Sequence, residues 1–121
     1  MPHRFPRSQR VADMIKREAS LILLSEVKDP RISGLVTVTH VEVSPDLAHA
    51  KVFVSVLGGK EDEKEALRGL VSAQGFFRSV LAERISMRRV PEIRFFIDHD
   101  RQERDRILRL LHEAKGGGGA Q

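Results

Sequence analysis

The chain has no cysteine, no tryptophan and no tyrosine, and its six aromatic residues are all phenylalanine. Without cysteine there are no disulfides, no thiolate nucleophile and no zinc–thiolate site. Long apolar runs are missing too. The longest is Leu21-Ile22-Leu23-Leu24, far short of the roughly 20 residues a membrane span needs. The opening Met1-Pro2-His3-Arg4-Phe5-Pro6 is basic with no apolar stretch behind it. It does not read as a secretory signal, and a cytoplasmic location is expected. A G-x-S-x-G nucleophile elbow, a P-loop and a G-x-G-x-x-G are all missing from the 121 residues.

What is present is charge. Charged residues make up 31% of the chain, apolar residues 40%, and the net charge is +4. That mix fits one globular domain. Fifteen of the 21 basic residues are arginine, whose planar fork suits phosphate. The distribution is uneven: residues 1–31 carry +3, residues 32–67 carry −3, residues 68–94 carry +4, and residues 95–121 are neutral. Two basic blocks flank an acidic middle, and a local basic surface points to a polyanionic partner.

Val11, Ile15, Ala19, Ile22 and Leu23 recur at helical steps. They predict a helix from a Ser8 cap to about Val27, broken by Pro30. Leu35–Ser44 reads as a strand whose alternation changes parity between Val36/Val38 and Val41/Val43, which calls for a β-bulge near Thr39-His40. Ser44-Pro45-Asp46-Leu47 reverses the chain into a second, antiparallel strand in which Ala50, Val52, Val54 and Val56 alternate with polar or aromatic neighbours. Glu61, Asp62 and Glu63 open a helix carrying Ala66, Leu67, Leu70 and Val71. At Ala73-Gln74-Gly75 the helical pattern changes phase, and Phe76, Phe77, Val80, Leu81 and Ile85 continue it; Gly75 reads as the kink. Pro91 precedes a third strand over 92–98, and a terminal helix is expected over about 102–114. Residues 115–121 form a glycine-rich tail beyond a single domain of residues 1–114. The order α-β-β-α-kink-α-β gives a two-layer α+β domain with a three-stranded sheet, helices on one face and the other face open.

Chemistry is harder to find. Five histidines are present, and none makes a metal pair at helical i, i+4 spacing. His40 and His49 flank the hairpin without an evident third ligand, and Asp98-His99-Asp100 sits at a strand end. Neither cofactor nor metal is expected, nor a small-molecule substrate. A small enzyme built on Asp98 and His99 is the weakest of three readings. A protein-interaction module docking a partner through the open sheet face or the terminal helix is the second; Leu21 and Leu24 lie off the main stripe of the first helix and invite cover by the terminal helix or a partner. The first is a phosphate-contacting surface made by Arg78, Arg88, Arg89 and Arg68 with the N-terminal Arg4, Arg7 and Arg10 and with Lys51. Gly75 would let a nucleic-acid backbone come close.

Several stretches together resemble ribosome-binding factor A. They are Arg7-Ser8-Gln9-Arg10-Val11-Ala12, the run Val36–Leu47 with its Ser-Pro-Asp-Leu turn, Ala50-Lys51-Val52-Phe53-Val54, Ala73-Gln74-Gly75-Phe76-Phe77-Arg78 and Arg89-Val90-Pro91-Glu92-Ile93-Arg94-Phe95. The resemblance covers about residues 5–112. It implies a KH-like domain of type II topology, with Ala73-Gln74-Gly75 in place of the GxxG loop by which ordinary KH modules clamp a backbone. It further implies a non-enzymatic factor that binds the free small (30S) ribosomal subunit and its rRNA; nothing in the sequence suggests more than a monomer. Late maturation, 5′-end processing of 16S rRNA and growth in the cold are the roles the resemblance carries.

Overall fold

The structure is a computed structural model, and it describes residues 7–32, 36–100, 103, 106–107, 109–111 and 113. The elements follow in the order α1 (Arg7–Ser25), β1 (Val36–Val43), β2 (His49–Val56), α2 (Lys60–Ser72), α3 (Gln74–Arg84) and β3 (Glu92–Ile97). β2 is the central strand, antiparallel to β1 and parallel to β3. A parallel pair cannot be joined by a tight turn, and α2 and α3 supply the long crossover it needs.

α1 forms because its apolar residues share one stripe. Val11, Ala12, Ile15, Ala19, Ile22 and Leu23 are buried, and the helix lies against β1. Ser8 sits inside the helix rather than at its cap, since α1 already includes Arg7. α2 and α3 cover β3 from the same side. The inward residues of the sheet are Val38, Val41, Ala50, Val52, Val54, Val56, Ile93 and Phe95. They meet Leu70, Phe77, Val80 and Leu81 from the helices. Phe77 and Phe95 stack edge to face with centroids 5.0 Å apart.

The parity change in β1 has the expected cause. Val38 pairs with Val54 and His40 with Phe53, so Thr39 is the extra residue of a bulge. Its hydroxyl lies 2.6 Å from Asp98 Oδ2 and 3.2 Å from the Phe53 carbonyl. The bulge lets Val38 and Val41 both face the core.

The helix interruption is short, as the sequence predicts, but its hinge is not Gly75. Ala73 alone leaves the helical path, at φ −92° and ψ 1°, and its N–H still bonds the Gly69 and Leu70 carbonyls at 3.0 Å. Gly75 lies in the first turn of α3, and among the described glycines only Gly58 has positive φ. A small residue with a free backbone conformation is therefore not what the junction requires. Alanine tolerates the bridge region without strain.

The expected terminal helix falls mostly outside the described residues. Those described there are helical, and Ile107, Leu110 and Leu111 are exposed. The glycine-rich tail lies outside them altogether.

Candidate nucleic-acid interface

β1 ends, and β2 and β3 begin, at the end of the sheet where the β1–β2 turn lies. The turn is tightly held. Ser44 Oγ donates to Asp46 Oδ1 at 2.6 Å, and Asp46 Oδ1 also accepts the Ala48 N–H at 3.0 Å. These bonds hold the Asp46 carboxyl below its ordinary pKa. Leu47 adopts φ 62°, a left-handed conformation unusual for a branched side chain. The Glu92 N–H bonds the Ala48 carbonyl at 2.9 Å, which fixes the start of β3 to this end.

The basic residues gather around it from two directions. The first turns of α1 lie beside the second half of β1, where Ser8, Gln9 and Ala12 face His40–Val43 across a shallow groove. Arg7 and Arg10 project from these turns into solvent. From the other side comes the α3–β3 connection. Arg78 Nη2 donates to the Val90 carbonyl at 3.3 Å, drawing the α3 face and residues 88–90 together. Val90 and Pro91 are buried, whereas Arg88 and Arg89 just before them are not. Arg88 and Arg89 are not on α3, which stops at Arg84; the loop presents them, not a continued helix face. Among the described residues Arg7, Arg10, Arg88 and Arg89 make no ion pair. Cations without a protein counter-charge are the ones available to phosphate.

Other candidates separate from this group. Arg4 lies outside the described residues. Arg68 is bonded to Glu65 on its own helix, which offsets its charge. Lys51 is on the sheet face turned away from the helices. Gly75 is exposed, and a Cβ there would meet nothing within 4 Å, so its surface is open for close approach.

Arg84 is a basic residue with a structural role. It pairs with Glu18 at 3.5 Å and with Glu26, pinning α3 to α1. Arg31 is likewise structural. It forks onto Asp29 through Nε and Nη2, and this contact holds the Asp29 carboxyl below its ordinary pKa. Asp98 serves the Thr39 bulge, and its N–H bonds the Val54 carbonyl at 2.7 Å. His40 Nε2 lies 3.2 Å from Glu42, and His49 Nδ1 lies 3.4 Å from Glu92, so the two histidines occupy separate rows. Leu21 and Leu24 are exposed, and Leu24 edges a shallow groove with Leu23 and Val36–Val38.

Comparison with known proteins agrees with this architecture. The family model described as ribosome-binding factor A matches residues 7–111. Ribosome-binding factor A of a Picosynechococcus strain is 45% identical over 108 residues, covering 88% of this chain and 82% of that one. The Azoarcus protein of the same name is 45% identical over 114 residues, covering 94% and 90%. Among solved structures, the Thermus thermophilus ribosome-binding factor A aligns at TM-score 0.66 and 30% identity, over 74% of this chain and 93% of that one. A Thermus thermophilus model fitted into a cryo-EM map of a 30S–RbfA complex aligns at TM-score 0.63 and 30% identity, over 75% and 93%. With its α-β-β-α-α-β order, its single-residue helix break and these matches along nearly its whole length, the chain belongs to the ribosome-binding factor A family.

Proposed function

We propose that this protein is a non-enzymatic assembly factor that binds the free small ribosomal subunit. It acts on late maturation of that subunit, including 5′-end processing of 16S rRNA and its completion in the cold, and it works as a monomer in the cytoplasm. The observation that carries the reading is a set of arginines at one end of the sheet, Arg7 and Arg10 on α1 and Arg88 and Arg89 before β3, that make no ion pair among the described residues. Its support from outside the chain is the Thermus thermophilus relative placed in a 30S complex. Arg78 positions the loop and adds its own charge. Gly75 allows close approach of an rRNA backbone, and Arg4, outside the described residues, is a further candidate phosphate contact.

Such a surface needs no catalytic residue. Neutralised phosphates release counterions, so affinity falls steeply with salt. The test is sedimentation of the tagged protein with cell extract at low and moderate salt. Migration with free small subunits, absent from translating ribosomes and lost as salt rises, is the expected result. Migration at the top of the gradient at both salts contradicts it. The exposed Leu24 favours a second reading, docking of a protein, in which association survives both salt and nuclease.

A further inference from the structure

The sheet face turned away from the helices carries its side chains in ordered rows. Residues two apart on a strand are roughly 6.6 Å apart, and neighbours across strands roughly 4.8 Å. One row runs His40, Phe53 and Phe96 across all three strands. Its ring centroids are 5.7 Å apart at both steps, with interplanar angles of 35° and 32°. The next row is Glu42, Lys51 and Arg94. Lys51 Nζ stands 6.0 Å from the Phe96 ring centroid.

The fold does not need these rings. The core is made by the opposite faces of the same strands, through Val52, Val54, Ile93 and Phe95. Phe96 is 39% exposed, and Phe53 is only half-buried. The row is also too narrow for a stable protein interface. Such interfaces bury about 800 Å² per partner around an apolar centre, whereas here a single line of rings is bounded by the polar side chains of Glu42, Lys51 and Arg94. The rim carboxylates already have neighbours: Glu42 has His40, and Glu92 has His49 and, at 3.3 Å, Arg94. Among the described residues no ion pair engages Lys51. A line of aromatic rings with one cation free of a described counter-charge, Lys51, in the next row matches unpaired nucleotides, bases on the rings and a phosphate beside them.

We propose that Phe53 and Phe96 form a stacking platform for one or two unpaired RNA bases, with Lys51 on the adjoining phosphate. This rests on the reading of the protein as an rRNA binder and adds a second contact, on the face opposite the helices. The helix and loop arginines hold backbone by charge, and the sheet row selects single-stranded over duplex RNA, because only splayed bases reach the rings.

The test titrates isotope-labelled full-length protein with a single-stranded RNA octamer and with a duplex of the same sequence, following the phenylalanine ring resonances. Affinity for the labelled octamer is measured for Phe53→Leu/Phe96→Leu, Lys51→Glu and Arg78→Glu/Arg89→Glu. The expected result is a shift of the Phe53 and Phe96 rings, but not of buried Phe77, with the single strand only. The leucine double variant should lose about tenfold or more in affinity. Lys51→Glu, an exposed change that spares the core, should weaken binding in parallel even if the leucine variant folds poorly. Wild-type octamer affinity in folded leucine and Lys51→Glu variants, or ring shifts equal for duplex and single strand, overturns the platform. Those results leave subunit binding intact if both variants still sediment with small subunits. If the wild-type protein does not sediment with them, the functional reading itself fails.

Discussion

Arg78 and Val90 join the middle of α3 to the residue before the buried Pro91, through a guanidinium–carbonyl hydrogen bond of 3.3 Å. This bond places Arg88 and Arg89 beside the helix that carries Arg78, although α3 itself ends at Arg84. One side chain thus both shapes the loop and contributes charge to the surface it shapes.

Gly75 separates binding from stability. It is helical, exposed and without a neighbour that a methyl group would strike. Gly75→Ala is therefore expected to leave the melting temperature unchanged or raise it, since alanine is favoured in a helix by up to about 1 kcal/mol. Affinity for the small subunit should fall, because the added methyl obstructs backbone approach. Differential scanning fluorimetry paired with filter binding reads both. Unchanged affinity removes Gly75 from the interface.

Gly58 makes the opposite case. Its φ is 121°, and a Cβ there would collide with the Asp62 carboxylate, which accepts the Gly59 N–H at 2.9 Å and caps α2. Gly58→Ala should lower the melting temperature and leave the binding of the protein that remains folded unaltered.

The bulge in β1 rests on one hydroxyl. Thr39→Val keeps the shape and removes the hydroxyl that donates to Asp98 Oδ2 at 2.6 Å, with the Phe53 carbonyl a second acceptor at 3.2 Å. A decrease of about 1 kcal/mol is expected in urea unfolding, the ordinary worth of such a bond. An equal or greater stability would show that the backbone alone sets the bulge.

Acid should destabilise the protein through Asp29 and Asp46. Arg31 lowers the first, and the Ser44 hydroxyl and Ala48 N–H lower the second, from an ordinary value of 3.8. The unfolded chain therefore binds more protons between the ordinary and the lowered value. The contribution is complete above about pH 4 and is lost as pH falls through the folded pKa. Melting curves from pH 6 down to pH 2 should show this fall, and Asp29→Asn should make it shallower. Both groups face solvent, so the change is modest and shrinks with salt.

Much of the fold is legible in the residues. The stripe on α1, the alternation in β2 and the parity change at Thr39 each follow from where apolar side chains must point. The family resemblance follows from the order of several short motifs. The hinge is different: sequence marks a glycine as flexible, whereas an alanine in the bridge region breaks the helix here. The arginines are harder to sort. Arg84 and Arg68 look like Arg88 and Arg89 until Glu18, Glu26 and Glu65 are found beside two of them. The Arg68–Glu65 pair follows an i, i+3 spacing within one helix, whereas the Arg84 pairs join different elements, a tertiary fact that no local pattern encodes. The aromatic row is hidden for the same reason, since His40, Phe53 and Phe96 meet only through strand register.

On the proposed reading, the arginines at the turn end of the sheet hold the small subunit by its phosphates. The most direct test is the salt dependence of subunit affinity for the wild-type protein and for Arg88→Gln/Arg89→Gln, both surface changes that spare the Arg78–Val90 bond. The predicted result is an unaltered melting temperature, weaker binding, and a log–log salt slope lower by about 0.7–0.9 for each phosphate no longer neutralised. Wild-type affinity with an unchanged slope would contradict it.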